Sequence, residues 1–405
     1  MKYIIILTDG MADEPVAELG GLTPLEAAHT PTIDLLCSRG RCGTLSTVPQ
    51  GYEPGSEVAH LSLLGYDLPT VFEGRGSLEA ASMGIGIEPG EVAMRCNIIC
   101  IENEKIKNHS AGHITDSEAR KLIAFLNERL ADDRVRFFPG VSYRHLLKIR
   151  GGDKRVHFTP PHDVPGTPFA EVMPWAECDE AKPTAELICD LIRRSQEILP
   201  SHPVNVKRVA EGKDPANSIW PWSAGYKPAM PTLRDTFGIG RGAVISAVDL
   251  IRGIGIYAGL EPIMVEGATG LFNTNYAGKA RAAIDALEGD FDFVFLHIEA
   301  PDEAGHEGNF ELKKRVIEDI DSKVCKPIMD AVSRMDEPVT IALLPDHPTP
   351  CRLRTHSAAL VPFFICRPGE TPDAVEHFNE RTARDGSLGA LSDAGFINLL
   401  LRRTL

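Results

Sequence analysis

The feature that most constrains the fold is an alternation of short apolar, β-branched runs with helical stretches in the two end portions of the chain. The runs that predict strands are residues 3–8, 243–248, 262–265, 293–298, 339–344 and 361–366. A helical pattern from about 310 to 335 is expected to kink or break at Pro327, because proline disrupts a helix interior. Strands that alternate with helices predict an α/β fold, with a mostly parallel sheet sandwiched by helices.

The middle of the chain has a different pattern. Between 71 and 234 proline and glycine are frequent, and the strand-like runs are less regular. Residues 92–99, 136–138 and 146–149 predict strands, 118–130 and 185–198 predict amphipathic helices, and 220–231 is interpreted as a loop. We therefore predict a discontinuous core made of residues 1–70 and 235–405, with an α+β cap domain inserted at 71–234.

Composition excludes several classes of protein. The chain has 42 basic and 57 acidic residues, a formal net charge of −15, which argues against nucleic-acid binding and suits a protein that holds divalent cations. No apolar run approaches the roughly 18 residues of a membrane span, and no secretory signal is apparent. Nine dispersed cysteines without a CxxC pair favour reduced thiols, so we expect a cytoplasmic protein.

Five segments place metal-binding or nucleophilic side chains directly after a predicted strand or in a loop. They contain Asp9, Ser56, Asp302 with His306, Asp346 with His347, and His356. In open α/β sheets, ligands bind beyond the carboxyl ends of the strands. We therefore expect these side chains to converge at one edge of the predicted sheet.

Each segment also has a plain structural explanation. Asp9 can be a turn residue, Ser56 can be a helix N-cap, and His356 can be a buried structural histidine. The segment around Asp346 can be a proline-flanked surface turn. The most specific pair is Asp302 and His306, because side chains four apart lie on one face of a helix.

Taken together, the segments predict a pair of divalent ions. Three carboxylates and three histidines form a mixed oxygen and nitrogen ligand set that suits Mn²⁺ or Zn²⁺, with Mg²⁺ as a further alternative. Two ions about 3.5–4 Å apart can clamp the attacking and leaving oxygens of a displacement at phosphorus. The serine hydroxyl beside them is then the candidate nucleophile.

Eight motifs spread over nearly the whole chain carry a family resemblance. They are IILTDGMAD, LGGLTPLEAAHTPTID, PGSEVAHLSLLGYD, SAGHITDSEA, GVSYRH, GATGLFNTNYAGKA, APDEAGHEGN, and DHPTP followed by LRTHS. The sequence resembles the alkaline-phosphatase superfamily of metalloenzymes. Within it, the sequence is most similar to the archaeal-type cofactor-independent phosphoglycerate mutases and their homoserine-kinase-like relatives.

The resemblance implies a role for each of the candidate residues. One metal is expected to bind Asp302, His306 and His356, and the other Asp9, Asp346 and His347 together with Ser56. Ser56 is also the residue expected to be phosphorylated in turnover. Further substrate contacts are implied for His109, Arg144, Asp163 and Lys279, and the inserted domain of such enzymes closes over a small phosphorylated substrate.

Two departures from the family pattern decide between the activities. His113 stands where archaeal mutases tend to carry arginine, and residues 222–225 replace an arginine-containing loop. Because arginine is the usual partner of carboxylate and phosphate, we expect a homoserine-kinase-like transfer from ATP to an amino-acid hydroxyl. The alternative is interconversion of 3- and 2-phosphoglycerate without bisphosphoglycerate. Trp220 and Trp222 can line an adenine or substrate pocket, or they can be buried.

Overall fold

The computed structural model describes residues 1–401 and divides into two compact units. The discontinuous unit combines Met1–Phe72 with Ala229–Leu405, and the contiguous unit is Glu73–Pro228. The sequence-based boundaries, 70/71 and 234/235, differ from these by a few residues. The pattern of strands and helices does not mark the loop residues at which one unit ends and the other begins.

The secondary-structure elements are numbered in chain order. The strands are β1 (Lys2–Thr8), β2 (Arg41–Ser46), β3 (Glu91–Glu102), β4 (Lys105–Asn108), β5 (Val135–Phe138), β6 (Arg144–Arg150), β7 (Val156–His157), β8 (Trp175–Ala176), β9 (Ser218–Gly225), β10 (Gly242–Ile245), β11 (Leu260–Pro262), β12 (Phe293–Ile298), β13 (Val339–Leu344), β14 (Val361–Cys366) and β15 (Gly389–Ser392). The α-helices are α1 (Pro24–Ala27), α2 (Pro31–Ser38), α3 (Ser56–Leu63), α4 (Leu68–Val71), α5 (Arg75–Ser82), α6 (Asp116–Leu130), α7 (Lys182–Ile198), α8 (Pro203–Ala210), α9 (Leu233–Phe237), α10 (Asp249–Tyr257), α11 (Tyr276–Glu288), α12 (Ala300–Glu307), α13 (Phe310–Ile320), α14 (Lys326–Val332) and α15 (Gly395–Leu400).

An eight-stranded sheet forms the centre of the discontinuous unit. Its strand order is β11-β10-β12-β1-β13-β14-β2-β15, and every pairing is parallel except the two that β14 makes. Ile4, Ile5, Ile6 and Leu7 of β1 are all fully buried, so both faces of this strand are covered, as is typical of a parallel sheet. The predicted α/β class with a mostly parallel sheet is confirmed.

The long helical stretch near residue 320 is interrupted just before its proline. Helix α13 ends at Ile320, a π turn spans Asp321–Cys325, and α14 begins at Lys326 with Pro327 in its first turn. Proline has no N–H to offer the carbonyl four residues earlier. A π turn widens the helix and changes its hydrogen-bond spacing, so the break predicted at Pro327 lies a few residues earlier in the chain.

The contiguous unit is built on an antiparallel sheet. Its order is β4-β3-β6-β5, and β9 pairs with β3. Helix α6 begins at a capping box, in which Thr115 Oγ accepts from the Glu118 N–H and the Glu118 carboxylate accepts from the Thr115 N–H. Apolar side chains of α6 and α7 share one core with those of β3, β6 and β9.

Residues 220–225 belong to a strand, so the loop predicted there was wrong. Pro221 and the prolines after it indicated a break, but β9 pairs with β3 and buries both of its indole rings. Trp220 is fully buried and its Nε1 donates to the Thr159 carbonyl at 2.9 Å. Burial of large aromatic surface outweighs the local turn signal here, and Trp220 is a core residue.

The structure also describes the cysteines and the apolar character of the helices. All nine cysteines are free, and the Sγ atoms of Cys37 and Cys42 are 3.1 Å apart in the core. Within residues 1–401, no helix combines the length and the apolar character that crossing a membrane would require.

The contiguous unit should lose stability in mild acid through His145. Burial lowers the pKa of His145 to about 3, and its Nδ1 accepts from the Gly140 N–H at 3.0 Å. The unfolded chain, with a histidine pKa near 6.5, binds this proton first, so stability falls as pH drops below about 6.5. Between pH 7 and pH 5 the loss should be about 2 kcal/mol.

Urea unfolding at the two pH values tests this expectation. All three tryptophans lie in the contiguous unit, so tryptophan fluorescence follows that unit alone. His145→Asn keeps an acceptor for Gly140 but cannot titrate, so its stability should depend less on pH than that of the wild type. The exposed His157→Asn variant is the control. Equal pH dependence in all three proteins would show that His145 is not the titrating group.

Candidate functional site

Three parallel strands of the discontinuous unit end side by side. In their registers, Thr8 of β1 pairs with Ile298 of β12, and Leu7 of β1 pairs with Leu344 of β13. The residues that follow these strands therefore emerge at the same edge of the sheet. This is the physical reason why Asp9 and the segments near 302 and 346 come together although they are far apart in sequence.

The first ligand group contains Asp9, Asp346 and His347. His347 Nε2 lies 3.2 Å from Asp346 Oδ2 and 3.7 Å from Asp9 Oδ1. The Ser56 hydroxyl lies 3.3 Å from the same His347 nitrogen. All three ligand residues are buried, whereas Ser56 is partly exposed.

The second ligand group contains Asp302, His306 and His356. Asp302 and His306 lie one turn apart on α12, with His306 Nε2 3.2 Å from Asp302 Oδ2. His356 Nε2 lies 3.0 Å from His306 Nε2 and 3.5 Å from Asp302 Oδ1. The spacing argument from the sequence therefore predicted a pair that does share one face of a helix.

The two groups adjoin through His347. Ligand atoms of Asp9, Asp346 and His347 lie within 4.8 Å of one another, and so do those of Asp302, His347 and His356. The rings of His347 and His356 are 4.0 Å apart between centroids. All seven side chains predicted as metal ligands therefore converge, and His347 borders both groups rather than one.

Two buried carboxylate oxygens in this region have no hydrogen-bond partner. Asp9 Oδ1 and Asp346 Oδ2 are both inaccessible and accept no hydrogen bond from residues 1–401, although His347 Nε2 lies close to both. Burial, together with repulsion from Asp346 and Asp302, raises the pKa of Asp9 well above its usual range. Buried charges are normally paired or bound to metal, and the donor set of carboxylate oxygens and imidazole nitrogens fits a divalent cation.

In the second group, protons partly balance the charge of the carboxylate. Burial alone would raise the pKa of Asp302, but hydrogen bonds from His306 and His356 outweigh it and hold this pKa well below its usual range. The same contact with Asp302 raises the pKa of His306 to about 9. A bound cation would replace these protons, because metal binding requires neutral imidazole.

Ser56 is available for chemistry because it is not the helix cap. Gly55 occupies the N-cap position of α3 with an extended backbone, and Ser56 is the first helical residue. The alternative explanation, in which the Ser56 hydroxyl caps the helix, therefore does not hold. Free N–H groups and the helix dipole at this end favour an anion near the Ser56 hydroxyl.

Two buried histidines beside the site were not predicted. His60 Nδ1 lies 2.7 Å from the Ser56 carbonyl oxygen, and His297 Nε2 lies 2.9 Å from Asp9 Oδ2. Burial lowers the pKa of both imidazoles. The one signal for His297 is a histidine within an otherwise apolar strand run, FVFLHI.

The contiguous unit gathers basic side chains around β3. Burial lowers the pKa of the Arg95 guanidinium, Glu79 opposes this effect, and nearby Arg75 and Arg144 add to it. Burial also lowers the pKa of His162, and the charges of Arg95 and Arg75 lower it further despite the adjacent carboxylate. We call Arg75, Arg95, His109, Arg144 and His162 the basic group.

Two guanidiniums of the basic group have a donor without an acceptor among residues 1–401. Arg95 lies over the Trp222 ring, 4.5 Å from its centroid, and its Nη1 is 3.2 Å from Glu79 Oε1. Trp222 is held in turn by Asn97, whose Oδ1 accepts from the indole N–H at 3.1 Å. The buried Nε atoms of Arg95 and Arg75 have no acceptor in the described part of the chain.

Of the four predicted substrate contacts, three lie in the contiguous unit. The His109 ring packs edge-on against Tyr143, 5.3 Å between centroids, and the exposed Arg144 guanidinium lies 5.5 Å from the same ring. Asp163 is exposed, with Oδ1 3.6 Å from His162 Nε2. His109 and Arg144 therefore belong to the basic group, and Asp163 lies at its border.

The fourth predicted contact, Lys279, lies in the discontinuous unit. It is almost fully buried on α11, and its Nζ donates to the His297 carbonyl at 3.2 Å. Burial lowers the pKa of Lys279 to about 8, against the opposing charge of Glu299.

Comparison with known proteins identifies the family. The family model for 2,3-bisphosphoglycerate-independent phosphoglycerate mutase matches residues 37–205. The chain is 49% identical to the protein of that name from Methanosarcina acetivorans over 405 residues, which is 99% of this chain and 100% of the relative. It is 37% identical to 2,3-bisphosphoglycerate-independent phosphoglycerate mutase 1 of Methanocaldococcus jannaschii, covering 100% of this chain and 97% of the relative.

Two solved structures have the same fold. The PH0037 protein from Pyrococcus horikoshii is 31% identical, with a TM-score of 0.83 and coverage of 100% of this chain and 98% of that one. The cofactor-independent phosphoglycerate mutase from Thermoplasma acidophilum is 27% identical, with a TM-score of 0.70 and 99% coverage of both chains.

These findings correct one prediction and confirm others. The homoserine-kinase-like activity was wrong, because full-length relatives at 46–49% identity are named as mutases. The wrong prediction rested on two missing arginine positions, although the contiguous unit has other arginines, Arg75 and Arg95, near β3. The predicted resemblance to archaeal-type mutases and the prediction of a metal-dependent enzyme are confirmed. The chain belongs to the 2,3-bisphosphoglycerate-independent phosphoglycerate mutase family.

Proposed function

We propose that this protein interconverts 3-phosphoglycerate and 2-phosphoglycerate without bisphosphoglycerate, through a phosphoserine at Ser56. The observation that carries the proposal is the Ser56 hydroxyl at a helix N-terminus, 3.3 Å from the His347 nitrogen that borders both ligand groups. The full-length relatives named as mutases support the choice of substrate.

Two divalent ions would be held by the two ligand groups. Asp9, Asp346 and His347, with Ser56, would hold one ion, and Asp302, His306 and His356 would hold the other. When bound, the ions supply positive charge to the phosphoryl oxygens and lower the pKa of a coordinated hydroxyl. Mn²⁺ or Zn²⁺ suits this donor set, and Mg²⁺ remains the alternative. Elemental analysis of the purified protein identifies the metal.

The serine carries the phosphoryl group between the two substrate oxygens. Ser56 Oγ attacks phosphorus, the bond between phosphorus and the 3-oxygen of the substrate breaks, and that oxygen receives the proton that Ser56 loses. The 2-hydroxyl of the same glycerate then attacks phosphoserine and returns a proton to Ser56. The N–H groups at the start of α3 favour the negative charge of this intermediate.

In this proposal, the side chains of the basic group bind the anionic substrate. A phosphoglycerate carries a carboxylate and a phosphate, and both are bound well by the planar fork of arginine. The Nε donors of Arg75 and Arg95, for which residues 1–401 provide no acceptor, support this role. We propose His109, Arg144, Asp163 and Lys279 as further substrate contacts.

An enolase-coupled assay tests the function directly. The protein is supplied with 3-phosphoglycerate and divalent metal, with neither bisphosphoglycerate nor ATP present. Formation of phosphoenolpyruvate that depends on the protein supports the proposal. The absence of 2-phosphoglycerate from a metal-loaded, folded protein would contradict it. The nine free thiols are those expected of a reducing compartment, so we propose a cytoplasmic location.

Replacement of Arg95 should weaken substrate binding. Arg95→Leu removes a charged hydrogen-bond donor worth about 1.5–3 kcal/mol, so KM for 3-phosphoglycerate should rise about 10- to 100-fold. Arg95→Lys keeps a cation beside Glu79 but loses the fork, and its KM should rise as well. The exposed Arg129→Leu variant of the same unit is the control. An unchanged KM in both Arg95 variants would show that Arg95 does not contribute to substrate binding.

A further inference from the structure

In each of the two carboxylates of the first ligand group, one oxygen accepts hydrogen bonds and the other has no hydrogen-bond partner among residues 1–401. Asp346 Oδ1 accepts from two backbone N–H groups, those of Gly10 at 3.0 Å and His347 at 2.8 Å. Asp346 Oδ2 and Asp9 Oδ1 have no hydrogen-bond partner among residues 1–401, and they lie 3.2 Å and 3.7 Å from His347 Nε2. The second oxygen of Asp9, Oδ2, is held by the side chain of His297 at 2.9 Å.

His297 is itself held from its other side. It lies in β12 with no exposed surface, and its Nδ1 is 2.9 Å from Ser246 Oγ. Ser246 directly follows β10, and its Oγ accepts from the Val248 N–H at 3.0 Å. A continuous chain of hydrogen bonds therefore runs from the backbone at Val248 through Ser246 and His297 to Asp9.

The direction of these hydrogen bonds follows from the groups at the two ends. An Asp9 carboxylate that binds a metal ion is ionised and only accepts, so His297 Nε2 then carries the hydrogen that it donates to Asp9. In a neutral ring Nδ1 is then the acceptor, and it takes the hydroxyl hydrogen of Ser246. This arrangement leaves Asp9 Oδ1 pointing away from His297, on the side of Asp9 that His347 borders.

We propose that His297, oriented by Ser246, is a positioning residue that sets Asp9 for metal binding in the group with Asp346 and His347. The inference rests on the metal-binding role proposed above. Asp346 Oδ1 is held by two backbone N–H groups, whereas Asp9 Oδ2 is held by the side chain of His297. Loss of the contact should therefore weaken one of the two metal sites and spare the site at Asp302, His306 and His356.

A matched pair of substitutions distinguishes the effect of losing the Nε2 donor from the effect of losing the imidazole ring. In His297→Gln the amide nitrogen replaces Nε2 and still reaches Asp9. In His297→Asn the amide extends only as far as Nδ1 and cannot reach Asp9. Titration of metal-free protein with Mn²⁺, followed by calorimetry, should give two sites in the wild type. In the Asn variant one site should be about 10- to 100-fold weaker, and in the Gln variant both should stay within a few-fold of wild type.

The outcomes distinguish this inference from the proposed function. Failure of folded wild-type protein to bind two ions would count against the metal sites themselves. Two sites of wild-type affinity in a folded His297→Asn protein would overturn only the role of His297. Thermal unfolding in a chelator checks that each variant folds.

A second measurement applies if the Asn variant does not fold. Nitrogen NMR of wild-type protein loaded with diamagnetic Zn²⁺ should show the His297 hydrogen at Nε2 and not at Nδ1. The opposite tautomer would overturn the proposed direction. Ser246→Ala should weaken the same Mn²⁺ site, and an unchanged affinity there would show that Ser246 does not orient the ring.

Discussion

Ser56→Ala is expected to reduce mutase turnover at least about 10³-fold, because the hydroxyl proposed to receive the phosphoryl group is gone. The same protein should keep both metal ions, since the other six proposed ligand side chains are unchanged. Turnover is measured in the enolase-coupled assay, and metal content by elemental analysis. Mass spectrometry after incubation with 3-phosphoglycerate should find phosphoserine in the wild type and none at this position in the variant.

A neighbouring serine provides the control. Ser62 lies on the same helix α3, is buried, and has no hydrogen-bond partner for its Oγ among residues 1–401. Ser62→Ala removes one hydroxyl from the helix without touching the ligand groups, so activity should stay near that of the wild type. Substantial turnover in a folded Ser56→Ala protein would exclude the covalent route.

His347→Ala is the substitution expected to disturb metal binding most. His347 contributes a nitrogen to the group with Asp9 and Asp346 and also lies within 4.8 Å of the ligand atoms of Asp302 and His356. Its removal should weaken both sites, reduce the number of bound ions from two to at most one, and lower turnover at least about 10³-fold. Calorimetric titration with Mn²⁺ gives the stoichiometry, and the coupled assay gives the rate.

His377→Ala is the matched histidine variant. His377 belongs to the same unit, its side chain is largely exposed, and its Nδ1 contacts Asp34 at 2.9 Å. It should keep two ions and wild-type turnover. Two ions of unchanged affinity in His347→Ala would mean that His347 is not a ligand.

Some strands were predictable to the residue because burial on both faces leaves a continuous apolar run. Residues 293–298, 339–344 and 361–366 match β12, β13 and β14. β2 was missed because its sequence, RCGTLS, has no apolar pattern. A Cβ at Gly43 would come within 2.6 Å of the Gly389 carbonyl oxygen, so this strand depends on close packing with β15, more than 300 residues later.

The site was predictable where local spacing carries the information. Asp302 and His306 are one helical turn apart, and Asp9 and Asp346 follow apolar strands, so short segments sufficed to name them. The surroundings of Arg95 could not be inferred in this way, because its contacts are with Trp222 and Glu79 from other elements. In the sequence, Arg95 is one residue of an ordinary strand. His297 was missed for the same reason, since its partners Asp9 and Ser246 come from two other strands.

The order of strands in the sheet has a consequence for synthesis on the ribosome. β1 emerges first, yet both of its neighbours come late, since Tyr3 pairs with Phe293 and Thr340. At about 5–20 residues per second, β1 waits roughly 15–60 s for its first partner. Glu73–Pro228 is complete long before then and can fold while β1 is still unpaired. The nascent apolar strand is therefore exposed to aggregation until its partner strands have been made.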